Sequence, residues 1–175
     1  MSQSVFCIVP DSAKASSILG DLGVAGFSRD DISVLLPDRE GTRDFAHEKN
    51  TKAPEGAAIG ATSAGVAGGA LGLLAGIGLL AIPGLGPFIA AGPIMAALSG
   101  MAVGATLGGV AGALIGLGIP EIEAKRYEGK IKDGNVLMSV HVNTSEEVKL
   151  AKSVFERAGA SDISVGSVSA AAARS

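Results

Sequence analysis

The side chains most able to do acid–base, nucleophilic or metal chemistry are few and far apart in this sequence. His47 and His141 are 94 residues apart, and the single cysteine, Cys7, has no histidine near it in sequence. Metal sites and cysteine nucleophiles require such groups in recognisable sets or pairs. We therefore predict no catalytic residue, no metal site and no cofactor, and we interpret Cys7 as a buried strand residue.

The acidic and glycine-rich stretches do not change this prediction. Glu121 and Glu123 lie in the first turn of a predicted helix, where carboxylates favour the positive end of the helix dipole. The run Gly76-Ile77-Gly78 does not continue into a GxGxxG motif, and no GxxxxGK[ST] motif occurs. The net charge of −3 gives no reason to expect a nucleic-acid partner. The sequence therefore predicts a protein that is not an enzyme.

Charge divides the chain into parts. The 65 residues 56–120 contain no Asp, Glu, Lys or Arg, and 18 of the 26 glycines lie between Gly56 and Gly118. We predict a first βαβ half in residues 1–50, a hydrophobic helical hairpin in 51–120, a helix and a second βαβ half in 121–170, and a tail in 171–175.

The two charged flanks resemble each other. VFCIV and residues 136–142 are typical of strands, and each is followed by a stretch with helical spacing of apolar residues. Asn143 or Thr144 offers an N-cap to the second helix, and Ala25-Gly26 matches Ala158-Gly159 at the two helix ends. This repeat predicts an α+β fold, a ferredoxin-like split βαβ sandwich with helices on one face of a four-stranded sheet. The long apolar glycine-zipper hairpin interrupts it.

Small residues recur at every fourth position on both sides of the proline-rich stretch IPGLGPFIAAGP. This spacing predicts two helices of about 27 residues joined by a tight turn. Period-four glycines allow a second helix to approach closely, so we predict self-association through Gly60, Gly68, Gly72, Gly76, Gly100, Gly104, Gly108, Gly112 and Gly116. The predicted turn contains Pro83, Gly84, Gly86, Pro87 and Pro93. The predicted apolar face contains Leu74, Leu80, Leu98 and Leu107.

A hairpin that is apolar on all sides must be buried away from water. The rest of the chain is too small to bury it, so lipid or other copies of the protein must do so. Each arm is long enough to cross a bilayer. The flanking positive residues are typical of the cytoplasmic side: Lys49, Lys52, Lys125, Arg126, Lys130 and Lys132. We therefore predict a homo-oligomer anchored in or on the membrane, with lipid as partner, at the cytoplasmic face of the inner membrane.

Two alternatives stay open. The chain has no tryptophan and the predicted turn has no charge, which favours a soluble cytoplasmic particle or filament with the hairpins as its buried core, with or without enclosed lipid. The other alternative is a sensing module in which the sandwich binds a small molecule and controls the hairpin.

The stretches PGLGPFIAAGP and IPEIEAKRYEGKIK resemble bacterial general-stress or low-temperature-induced proteins, which carry a small stress-protein domain interrupted by a glycine-rich hydrophobic segment. The resemblance covers most of the chain. It implies induction by stress, and it brings no catalytic residue with it.

Overall fold

The computed structural model describes residues 3–37, 78–82, 86–92 and 109–167. Strands and helices alternate in the two flanks, and two further strands and a short helix come from the uncharged part. In chain order the elements are β1 (Gln3–Val9), α1 (Ser12–Val24), a 3-10 turn (Arg29–Asp31), β2 (Ile32–Pro37), β3 (Gly78–Ile82), β4 (Gly86–Ala91), α2 (Val110–Gly116), α3 (Glu121–Lys132), β5 (Val136–Val142), α4 (Ser145–Arg157) and β6 (Ser161–Ser167).

The helices of the two flanks are both capped, and Thr144 is one of the two N-cap residues that the sequence predicts for α4. The Asp11 side chain accepts a hydrogen bond of 2.8 Å from a backbone N–H in the first turn of α1. At α4, Thr144 and Glu147 form a reciprocal capping box. Both helices end at a glycine with left-handed backbone, Gly26 at φ +97° and Gly159 at φ +74°. The repeat between the flanks is therefore a repeat of local structure as well as of sequence.

The strands form one antiparallel sheet of six, in the order β3-β4-β2-β5-β1-β6. The four strands predicted from the flanks are neighbours, as β2-β5-β1-β6. β3 and β4 come from the uncharged part and extend the sheet beyond β2. The prediction of a mixed α+β fold is confirmed.

Helices lie on both faces of the sheet, so the prediction that they lie on one face is wrong. Alternate residues of β1 belong to different cores: Val5 packs in the core that contains α1 and α4, and Phe6 in the core that contains α2 and α3. The second layer exists because α3 carries a helical stripe of apolar residues that needs a partner surface. That stripe is Ala124, Tyr127 and Ile131, all buried.

The part of the first predicted helical arm that the structure describes is a strand. Residues Gly78–Ile82 form β3, and Gly86 and Pro87, predicted as turn residues, lie in β4. Pairing decides this outcome: β4 bonds to the edge that β2 would otherwise expose, and Phe88 and Ala90 become buried. The first arm therefore does not continue as a helix up to the turn.

The second predicted arm is interrupted. Gly92 has φ +78° after β4, and Gly109 has φ +99° immediately before α2, which is only seven residues long. A left-handed residue cannot continue a right-handed helix, so the second arm is not one helix of the predicted length. In the described ranges, no helix is both long and apolar enough to span a membrane.

Candidate functional site

The groups singled out for their chemistry do not converge. Cys7 is fully buried, as expected of a strand residue, and burial raises the pKa of its thiol far above the usual range. His141 is half-buried on β5, opposite Ser4 of β1, whereas His47 lies outside the described residues. Within the part of the chain that the structure describes, no three His, Cys, Asp or Glu residues group as metal ligands.

The most developed polar cluster joins α3 to the edge strand β6. Tyr127 is 1% exposed, and its hydroxyl donates a hydrogen bond of 2.5 Å to the backbone carbonyl of Asp162. Because this bond uses the only hydroxyl proton of Tyr127, the Ser164 hydroxyl at 2.5 Å is the donor in the second bond. Burial raises the pKa of Tyr127 to about 12, although the bond with Ser164 lowers it in part. Tyr127 is therefore neutral at pH 7 and acts as a hydrogen-bonding anchor.

A cavity of about 50 Å³ lies at this cluster, with room for a few water molecules but not for an organic substrate. Its lining residues are Glu123, Arg126, Tyr127, Asp162, Ile163 and Ser164. The polar atoms of Tyr127, Asp162 and Ser164 largely satisfy one another. The arrangement therefore fixes the path of β6.

The backbone of β6 is irregular at Asp162, so the strand needs a contact that holds it in position. Asp162 has φ +50°, the one left-handed residue other than glycine among the described residues. The register of β6 on β1 shifts between Phe6 and Ile8, opposite this residue. An extra residue in an edge strand forms a β-bulge and bends the strand. The hydrogen bond from Tyr127 holds the bulge in place.

A second junction lies where the uncharged part rejoins the charged flank. The Glu128 carboxylate of α3 accepts a hydrogen bond of 2.8 Å from the Ala111 backbone N–H in the first turn of α2, and it pairs with Lys132 at 2.9 Å. No side chain of α2 itself caps this helix. Glu128 thus supplies the cap from a different helix and holds α2 against α3.

Two other glycines mark places where the chain lies against the sheet without room for a side chain. A Cβ atom on Gly92 would overlap the backbone oxygen of Ile32, and one on Gly118 would overlap that of Ser167. Both residues also have left-handed backbone. These two glycines serve turns and close contacts within the sandwich.

The positive residues of α3, which are predicted to flank a membrane hairpin, are mostly paired within the chain. Three of these residues form ion pairs: Lys125 lies 2.6 Å from Glu121, Lys132 lies 2.9 Å from Glu128, and Arg126 lies 3.7 Å from Asp162. The fourth positive residue of α3 is Lys130. Exposed pairs of this kind contribute little to stability, because solvent screens them. Their effect on the surroundings is to reduce the net positive charge that α3 presents.

Only some of the residues predicted for self-association and for the apolar face lie in the described ranges. Gly112 and Gly116 lie one turn apart in α2, half-buried and exposed respectively, and Leu80 lies in β3. The other predicted residues of the zipper, turn and apolar face lie outside the described residues: Gly60, Gly68, Gly72, Leu74, Gly76, Pro83, Gly84, Pro93, Leu98, Gly100, Gly104, Leu107 and Gly108.

Sequence reasoning missed the roles of Tyr127 and Glu128. Tyr127 is the only tyrosine and lies on the apolar stripe of a charged helix, which is a usable signal for a buried anchor. Glu128 gave no signal, because it caps a helix that begins well before it in the chain. Comparisons with protein-family models, with curated proteins and with solved structures found no match to this chain.

Proposed function

We propose that this chain is a non-enzymatic protein that self-associates through its uncharged segment, with the charged flanks as a folded carrier. The observation that carries the proposal is the occupation of both sheet faces by helices of the chain itself. α1 and α4 fill one face, and α2 and α3 fill the other. The described apolar side chains of β1 and β5 are thus buried between the two helical layers.

The uncharged segment is longer than these two cores require. Its residues 56–77 and 93–108, 38 in all, contain no Asp, Glu, Lys or Arg and include most of the period-four glycines. Apolar chain of this length needs cover in water. We propose that further copies of the protein supply it, through close contacts at the glycine positions.

We propose a ferredoxin-like ancestry for the carrier. Its support is the order β2-β5-β1-β6 of the strands from the two βαβ units. The helices α2 and α3 on the second face, together with β3 and β4 beyond β2, are additions to that plan. All of these additions come from the chain between the two units.

Anchoring in or on a membrane is the second candidate function. The absence of charge from residues 56–120 favours it. The stress-related role that the resemblance implies belongs to either candidate, because protection of a bilayer and assembly of a particle both require an apolar segment. Lipid and further copies are alternative covers for the same residues.

Flotation of a cell lysate on a density gradient, followed by an alkaline wash, tests the two candidates. Self-association without lipid predicts a large particle that stays at the bottom of the gradient. Membrane anchoring predicts a protein that floats with lipid and survives the wash. A protein that neither floats nor sediments faster than a single chain of 17.2 kDa would contradict both.

A further inference from the structure

We draw no further inference here: the strongest candidate, the exposed apolar surface formed by Ile115 of α2 and Ile122 of α3 on either side of the turn between these helices, carries nothing, because nothing in the structure shows what covers it.

Discussion

The cap that Glu128 provides to α2 gives the sharpest prediction about the stability of the protein. Glu128→Ala removes the acceptor of the 2.8 Å bond from the Ala111 N–H and leaves this part-buried donor without its partner. A hydrogen bond to a charged group contributes about 1.5–3 kcal/mol. Loss of the exposed contact with Lys132 adds less than about 1 kcal/mol. We expect a loss of about 2 kcal/mol in the free energy of unfolding, or about 4–8 °C in Tm for a chain of this size.

Two further variants separate the cap from the ion pair. Glu121→Ala removes an exposed pair with Lys125 that is similarly spaced along α3, and it should cost much less stability than Glu128→Ala because solvent screens an exposed pair. Glu128→Gln keeps an acceptor for the Ala111 N–H, and it should cost about half as much as Glu128→Ala. Chemical denaturation followed by circular dichroism measures all three. If Glu128→Ala is no more destabilised than Glu121→Ala, the capping argument is refuted.

The effect of Glu128 should also depend on pH. Burial raises the pKa of Glu128, but hydrogen bonds from Lys132 and the Ala111 N–H, with the charge of Lys132, outweigh it, so the net shift is downward. A carboxylate with a lowered folded pKa stabilises fully above its unfolded pKa, about 4.3, and loses this effect as the pH falls through the folded value. The difference between wild type and Glu128→Ala should therefore be full at pH 7 and shrink below about pH 4.3.

Three other predictions address the second anchor, the close contacts and the zipper. Tyr127→Phe should lower the free energy of unfolding by about 1–2 kcal/mol, because it removes the hydroxyl that bonds the bulge and Ser164; an unchanged denaturation midpoint would refute the anchoring role. Gly118→Ala should cost more than about 2 kcal/mol, since its left-handed backbone and its contact with the sheet leave no room for a Cβ, whereas Gly20→Ala in open space on α1 should be neutral or stabilising. Gly104→Leu should reduce the assembly size in light scattering, because a leucine holds helix backbones apart; an unchanged size would refute the zipper.

The flanks could be predicted from the sequence because their signals are local. The N-cap at Thr144, the capping partner Glu147 and the terminal Gly159 all lie within or next to one helix. Strand β5 has the bounds that its run of β-favouring residues predicts, Val136–Val142. Where every residue that determines an element lies within or next to it, the sequence pattern is sufficient to predict that element.

The described residues of the uncharged part could not be predicted in the same way, because partners distant in sequence determine their structure. β4 pairs with the edge of β2 and β3 pairs with β4, so strand pairing and not local spacing determines these two elements. The break at Gly109 is fixed by Glu128 of α3. The second helical layer could have been predicted from the sequence. Ala124, Tyr127 and Ile131 recur at helical spacing, and such an apolar stripe needs a partner surface.

The native mass of the full chain in detergent-free buffer tests the central claim most directly. We predict that light scattering at increasing concentration gives a mass of several times 17.2 kDa, because further copies of the protein cover the uncharged segment. A constant mass of one chain across the same concentrations would contradict the account.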